Sequence, residues 1–538
     1  MQEAKTQNFI KSTAILAATS IFVKIVGAVY KIPLFNLLGN AGKGTFQFTY
    51  SVYTLIFTIA TAGVPVALSR MVSSAAAVGK MGLVKRYFKV AMPAFTLIGV
   101  AAMLLMFFFA DNIAGALNNT LAAPGIQVLA PAVFFVCIIS VYRGYAQGFE
   151  NMVPTAASQA LEVVCKAAIG IVITIILSRA AYDVKYVSAG GIAGVTIGLG
   201  LCIPLLAWYK RGIDRAMISD SDTSGLPGRM SIFGQLMKVS IPVTIGASFM
   251  TIITVVDNSI VLGRLQNGLG MSELEASAQF GIYAEGLTLY NLPSALIVPV
   301  AISLVPAIAA VLALKHGDEA RGIMQSSVKL VNLFAMPASA GLIVLASPIM
   351  IALFQDSSRI AADILIFLSA AAFFVCLQLV TTAILQANGN ERLPMLTILI
   401  GGAIKVALGY FLVGDPDIGI LGSPIGSLAC FIVICALNIM FIMIKVEDRP
   451  RFGRVFLKPL LCTAVMAAVA YGVYGLIYSA GSGIVGTGRM ATVLFLAVAI
   501  VIAIAAYIVL IIVTRTITPE DLKLVPKGEK LAKVLRVK

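Results

Sequence analysis

The stretch SIFVKIVGAVYKIP, residues 20–33, places two lysines inside the first long apolar segment of the chain, which extends from about residue 10 to residue 38. Lys24 and Lys31 are seven residues apart and therefore lie on one face of a helix. A charge inside a bilayer costs roughly 2.5–3.5 kcal/mol and usually faces a bundle interior or a water-filled cavity. Two cations on one face predict an anion site; the alternative is that their ammonium groups extend to the membrane interface.

The composition indicates a membrane protein built of helices. Of 538 residues, 59% are hydrophobic and only 12% are charged, and the mean hydropathy is +0.98. Apolar segments about 20 residues long recur to the C-terminus, which is typical of an all-α polytopic membrane protein. The first segment is too long and too basic for a cleaved signal peptide. One His, seven scattered Cys and the lack of a Walker lysine favour neither a metal site nor ATP hydrolysis, so we expect no enzyme and no cofactor.

The apolar segments number fourteen, several of them longer than 20 residues and interrupted by Pro or Gly. We therefore expect fourteen transmembrane helices, at about 10–38, 49–77, 90–111, 125–147, 155–178, 189–209, 236–263, 280–313, 328–354, 360–387, 394–413, 421–444, 458–479 and 490–514.

The distribution of Lys and Arg predicts the orientation of these helices. The termini and the loops on their side hold 27 basic residues, among which we count Arg143, and the opposite loops hold six. Basic residues concentrate on the cytoplasmic side, so both termini are expected there. The net charge of +15 then reflects orientation and contact with anionic lipid rather than nucleic acid.

An internal repeat predicts two lobes. The segment AGVPVALS at 62–69 resembles IVPVAIS at 297–303, and Lys166 and Lys405 each follow a glutamine by 19 residues. Two six-helix lobes of equal orientation would be related by a pseudo-two-fold axis along the membrane normal. The expected division is an N-terminal lobe at 1–211, a cytoplasmic linker at 212–235, a second lobe at 236–446, two extra helices at 447–514 and a basic cytoplasmic tail at 515–538.

Nine ionisable residues lie within or near the apolar zone. The basic ones are Lys24, Lys31, Arg70, Lys166, Arg264 and Lys405, and the acidic ones are Glu162, Asp257 and Glu285. This excess of cations predicts a cavity that attracts anions, and a diphosphate suits it because Lys and Arg bind phosphate strongly.

The acidic members have competing interpretations. Glu162 and Lys166 are spaced i,i+4 and could form a structural pair. Asp257 either pairs with a lysine or binds a coupling cation, and Glu285 would contribute to charge balance.

Three stretches carry a family resemblance: VKIVGAVYKIPLFNLLGNAGKGTFQFTYSVYTLIFTIATAGVPVALSR at 23–70, RGYAQGFENMVPTAASQ at 143–159 and YNLPSALIVPVAISLVPAIA at 290–309. They resemble the multidrug/oligosaccharidyl-lipid/polysaccharide (MOP) flippase superfamily, in its branch of MurJ-type lipid II flippases and stage V sporulation protein B. The resemblance implies fourteen helices and a central cationic cavity, with the cations carried over to Lys24, Lys31, Arg70 and Arg264. Many members have Arg where this chain has Lys in the first helix.

The resemblance also implies an ion for coupling, Na⁺ or H⁺. Some members bind sodium between helices 7, 11 and 12. Asp257 resembles the ligand on helix 7, whereas Lys405 in the eleventh span argues against that site.

The expected function is to flip an undecaprenyl-diphosphate-linked saccharide, in particular lipid II, to the outer leaflet of a bacterial plasma membrane by alternating access. Its partners would be that lipid, membrane lipid and proteins of cell-wall synthesis. The alternatives are a flippase for another polysaccharide repeat unit, a cation-coupled multidrug exporter and a non-transporting scaffold for cell-wall synthesis. The saccharide, the coupling ion and the oligomeric state are left open.

Overall fold

The computed structural model describes residues 15, 18–216, 227–314, 316–450, 452–486, 488–514 and 516, and within them all regular secondary structure is helical. We number the helices in chain order, beginning with α1 at residues 18–29. The others are α2 Lys31–Ala77, α3 Met81–Phe108, α4 Ala110–Ala116, α5 Ala123–Gln147, α6 Val153–Arg179, α7 Val184–Ala216, α8 Arg229–Asn267, α9 Glu273–Ala313, α10 Gly317–Val344, α11 Ala346–Phe354, α12 Arg359–Ala387, α13 Arg392–Val413, α14 Gly422–Lys445, α15 Phe452–Val485 and α16 Arg489–Val513.

Thirteen helical segments among the described residues are long and apolar enough to cross a membrane. The first, Ala18–Ala77, contains two of the predicted spans in 60 residues. A straight helix of that length would measure about 90 Å, three times the hydrocarbon core. The predicted count of fourteen is not confirmed and stays a prediction, and the start of the first span at residue 10 lies outside the described residues.

The chain changes direction within α2 at Gly39, which has φ 64° and ψ 169°. This conformation is accessible essentially to glycine alone. Lys31 Nζ and Gln47 Oε1 lie 2.9 Å apart, although 16 residues of straight helix would separate their Cα atoms by about 24 Å. The contact therefore requires the turn at Gly39, which brings the start of α2 beside its middle.

The helices form two compact units, Met1–Gly281 and Ile282–Lys538, and the boundary falls inside α9. The first unit includes α8 because that helix packs along α2. At their crossing, a Cβ added to Gly63 would overlap the carbonyl oxygen of Ser240. Gly44 lies equally close to Ser277 at the start of α9. These units differ from the lobes expected at 1–211 and 236–446, which stay a prediction, and the tail beyond residue 516 lies outside the described residues.

Close glycine contacts also join α6 and α7 in the first unit. Gly194 of α7 lies against the backbone of Gly170, and Gly170 lies against the carbonyl of Gly191. Small residues let membrane helices approach until their backbones touch. Helix α2 also packs against α5, α6 and α7, so the interior of this unit is lined by side chains from all four helices.

The second unit has an apolar core to which α10, α12 and α14 contribute. Helix α16 is held to this unit at both ends: Tyr507 donates a hydrogen bond to the Leu333 carbonyl at 2.9 Å, and Arg489 Nε donates to the Ala352 carbonyl at 3.0 Å. A buried polar network joins α13, α14 and α12, in which the Thr397 hydroxyl donates to Asn438 Oδ1 at 2.8 Å and Asn438 Nδ2 donates to Thr381 at 3.2 Å.

Candidate functional site

Two lysines of the first unit meet at one tyrosine. Lys31 is half-buried, donates a hydrogen bond to Gln47 Oε1, and holds its ammonium nitrogen 4.9 Å from the centre of the Tyr50 ring. Lys166, on α6, donates to the Tyr50 hydroxyl at 3.2 Å and lies 5.1 Å from the centre of the Tyr30 ring. We call Lys31 and Lys166 the lysine pair.

The lysine pair carries two positive charges in a low-dielectric interior. The Lys166 residue is only 7% exposed, and both ammonium groups contact the Tyr50 ring. In the part of the chain that the structure describes, neither ammonium has a carboxylate within ion-pair distance. Aromatic faces and neutral acceptors compensate cations only partly, so this arrangement favours the binding of an anion.

The position of Tyr50 follows from an aromatic stripe on α2. Phe46, Tyr50, Tyr53 and Phe57 recur every three or four residues and so occupy one helical face, with adjacent ring centres 5.5–6.0 Å apart. The stripe extends toward α6, where Lys166 and Glu162 meet it. The turn at Gly39 then places Lys31 on the same stripe.

An ion pair lies next to the lysine pair. Glu162 Oε2 is 3.5 Å from a terminal guanidinium nitrogen of Arg143, and Glu162 Oε1 accepts a hydrogen bond from the Tyr53 hydroxyl at 3.0 Å. Arg143 Nε donates to the Ser158 hydroxyl at 2.9 Å. The structure thus places Glu162 in an ion pair with Arg143. Among the described residues Lys166 is not within ion-pair distance of Glu162, although the two still interact electrostatically, and their mutual neutralisation stays a prediction.

Arg143 is the residue of this site that the sequence analysis missed. It was counted among the loop charges, yet it lies inside α5 and is 3% exposed. Its position four residues before the end of an apolar span is compatible with a buried side chain. The same position is equally compatible with a side chain that snorkels to the interface, so no signal in the sequence distinguishes the two.

The remaining candidates of the first unit are spread along α1, α2 and α8. Lys24 in α1 and Arg70 near the end of α2 are exposed, and about 30 Å of helix separates Arg70 from Tyr50. In α8, Arg264 is half-buried and Asp257 is fully buried. The structure brings only Lys31, Lys166 and Glu162, of the first-unit residues selected from the sequence, into the cluster around Tyr50 by the contacts given above.

The second unit contains two further candidates. Lys405 in α13 is half-buried and acts electrostatically on Tyr290 of α9, and Glu285, also in α9, is fully buried. Among the described residues, no group of three or more His, Cys, Asp or Glu side chains is placed to hold a metal ion.

Solved structures match this fold over most of the chain. A lipid II flippase MurJ in an inward closed conformation has a TM-score of 0.68 and 16% identity, covering 92% of this chain and 98% of that one. An inward-facing MATE-family multidrug resistance transporter of the MOP superfamily has a TM-score of 0.61 and 16% identity, covering 79% and 97%. The fold is therefore the one that polytopic flippases and multidrug transporters of the MOP superfamily share.

Sequence comparison identifies the family of the chain within this fold. The model of the polysaccharide biosynthesis protein family matches residues 9–312, and the chain belongs to that family. Stage V sporulation protein B of Bacillus subtilis is 27% identical over 539 residues, covering 97% of this chain and 98% of the relative. The lipid II flippase MurJ of the same organism is 25% identical over 467 residues, covering 82% and 83%. The chain is thus a multi-pass membrane protein of the polysaccharide biosynthesis protein family, with the fold that MOP-superfamily transporters share.

Proposed function

We propose that this protein is a flippase that carries an undecaprenyl-diphosphate-linked saccharide to the outer leaflet by alternating access, and that the lysine pair binds the diphosphate. The observation that carries the proposal is the lysine pair itself, two ammonium groups on one tyrosine ring with no carboxylate within ion-pair distance among the described residues. Membership of the polysaccharide biosynthesis protein family and similarity to a lipid II flippase support the substrate class.

A diphosphate would neutralise the positive charge of the lysine pair. Each phosphate of the diester has one negative charge and free oxygens that accept hydrogen bonds from an ammonium group. Because Coulomb interactions strengthen as the dielectric constant falls, the two ammonium groups repel one another in this partly buried site, and an anion bound between them would relieve that repulsion. The saccharide and diphosphate would occupy the protein interior while the prenyl chain remains in lipid.

The finer substrate we propose is lipid II, the cargo named for the B. subtilis relative and for the matching solved structure. A repeat unit of another polysaccharide is the second candidate, favoured by the family description and by a relative named for sporulation that is slightly more similar. A multidrug exporter of cations is disfavoured because the lysine pair would repel its cargo.

Orientation and energy coupling belong to the same proposal. With buried Arg143 removed from the count, 26 basic residues on the side of the termini against six on the other side support cytoplasmic termini. Lys24, Arg70, Arg264 and Lys405 are proposed to contribute further positive charge along the transport path. Buried Asp257 and Glu285 are proposed to balance it, with Asp257 an alternative ligand for sodium. Membrane potential can also drive the cycle, at about 2.3 kcal/mol per elementary charge per 100 mV.

The test uses the full chain in proteoliposomes with a fluorescent prenyl-diphosphate saccharide, whose arrival in the opposite leaflet is measured by a membrane-impermeant quencher. We expect Lys31→Met and Lys166→Met each to reduce the flipping rate at least tenfold. Lys185→Met is the matched control, since Lys185 also contacts an aromatic ring, that of Tyr186, at 5.2 Å but lies outside the cluster. Sodium or proton gradients imposed separately would identify a coupling ion.

Parental flipping rates in both lysine variants would remove the reason to place the diphosphate at the lysine pair. An absence of flipping by the parental protein, with every gradient imposed, would favour the scaffold alternative.

A further inference from the structure

The ion pair of Arg143 and Glu162 is connected to the lysine pair through two tyrosines. The ring centres of Tyr50 and Tyr53 are 5.5 Å apart, and the Tyr53 hydroxyl donates to Glu162. Glu162 also precedes Lys166 by one turn of α6, so the two side chains leave the same face of that helix. Lys31, Lys166, Arg143 and Glu162 therefore belong to one connected network, which we call the four-charge network.

The net charge of the four-charge network is fixed by Glu162. With both lysines protonated, three cations and one carboxylate give +2, and the value would be +3 without the carboxylate. The Arg143 side chain is 4% exposed and the Glu162 side chain 13% exposed, so salt screens these charges far less than surface charges. The network therefore acts on an anion as a set, and its total charge matters for ligands that differ in charge.

Two kinds of prenyl diphosphate differ by one charge. In the saccharide-linked form, both phosphates are esterified and the charge is −2. The form without a saccharide ends in a phosphate monoester, whose second ionisation lies near pH 6, so at pH 8 its charge is close to −3. A network of +3 would attract the additional charge of the monoester more strongly than the network of +2 does, so the preference for the monoester grows with the charge of the network.

Building on the proposed function, we infer that Glu162 is a specificity-determining residue: by cancelling the charge of Arg143, it weakens the attraction of the site for the additional negative charge of the bare prenyl diphosphate and so shifts selectivity toward the saccharide-linked diester. The bare lipid shares the prenyl chain and the diphosphate, so charge is a property by which this site can reject it. Arg143 and Glu162 act as positioning residues, since they set the charge around the lysine pair without being required to touch the ligand.

The test measures dissociation constants of the purified full chain at pH 8 for two probes, geranylgeranyl diphosphate and an N-acetylglucosaminyl diphosphate diester of geranylgeraniol. We expect Glu162→Gln, which keeps an acceptor for Tyr53, to shift the ratio of the two constants about tenfold toward the monoester, the effect of one added pair of unit charges in a partly screened site. Arg143→Gln, at +1, should shift the ratio in the opposite direction.

The double variant Arg143→Gln/Glu162→Gln returns the network to +2 and should restore the parental ratio, which loss of a merely structural contact would not do. It also removes both members of the ion pair together, so neither Arg143 nor Glu162 is left buried without the other, and it thereby controls for misfolding of the single variants. The control is Asp214→Asn, which removes an acid that accepts a hydrogen bond from Tyr145 outside the network.

The possible outcomes separate the two proposals. Parental binding of the diester that is lost in Lys31→Met, with an unchanged ratio in Glu162→Gln and Arg143→Gln, would overturn the role of Glu162 alone. A parental protein that binds neither probe, or a Lys31→Met variant that binds both normally, would overturn the proposed function and this inference with it.

Discussion

Two substitutions of Tyr50 distinguish the contribution of its hydroxyl to stability from the contribution of its aromatic ring. Tyr50→Phe removes only the acceptor of Lys166 and should destabilise the protein by about 1 kcal/mol, within the range measured for single hydrogen bonds in membrane proteins. Tyr50→Leu also removes the face that both ammonium groups contact, at 4.9 and 5.2 Å. A desolvated cation–π contact contributes about 1–2 kcal/mol, so the leucine variant should lose about 3–5 kcal/mol in total.

The leucine variant should also respond more strongly to ligand. Without the Tyr50 ring, the two ammonium charges have less favourable surroundings in the protein without ligand. Binding of a diphosphate should therefore raise the free energy of unfolding more in the leucine variant than in the parental protein. We therefore expect lower thermal stability in detergent but a larger increase in melting temperature on adding a prenyl-diphosphate saccharide than in the parental protein.

The control is Phe57→Leu, which shortens another ring of the same stripe, in contact with Tyr53. Equal loss of stability in Tyr50→Leu and Phe57→Leu, together with equal stabilisation by ligand, would show that Tyr50 is an ordinary packing residue. The account of the lysine pair given above would then fail.

Two further predictions concern packing and orientation. Gly63→Ala should lower stability in a detergent melting assay by about 1–3 kcal/mol, because its new methyl group meets the Ser240 carbonyl. The control Gly27→Ala, with open space around the new methyl group, should be close to neutral. Equal effects of the two substitutions would contradict the close crossing of α2 and α8. In a chain without its native cysteines, single cysteines at positions 219 and 482 should react with an impermeant maleimide from opposite sides of the membrane. Position 219 should react from the cytoplasm. Labelling of both positions from outside in intact cells would rule out cytoplasmic termini.

The helices were predictable because apolar length is written directly in the sequence. The segment expected at 394–413 is α13, Arg392–Val413, and the one expected at 421–444 is α14, Gly422–Lys445. The number of membrane crossings was harder to predict. Helix α2 continues on both sides of Gly39, and the change of direction there is visible only in the structure, in the backbone angles of Gly39 and in the contact between Lys31 and Gln47.

The charged residues of the candidate site could be predicted from the sequence, but the residues that they contact could not. Lys31, Lys166 and Glu162 could be selected because charged residues are rare in apolar spans. Their partners could not be chosen, because the spacing of Glu162 and Lys166 on one helix competes with contacts from α2 and α5 that depend on tertiary packing. Arg143, placed near the end of a span, satisfied the loop interpretation and the buried one equally well.

The glycine contacts between α6 and α7 have a mechanical consequence for the lysine pair. Where two backbones touch at Gly170, Gly191 and Gly194, neither helix can slide or rotate without the other. Lys166 is therefore anchored to a rigid pair of helices, while Lys31 lies eight residues before the glycine at which α2 changes direction. Any change in the turn at Gly39 would therefore move Lys31 relative to Lys166 and alter the distance between the two ammonium groups.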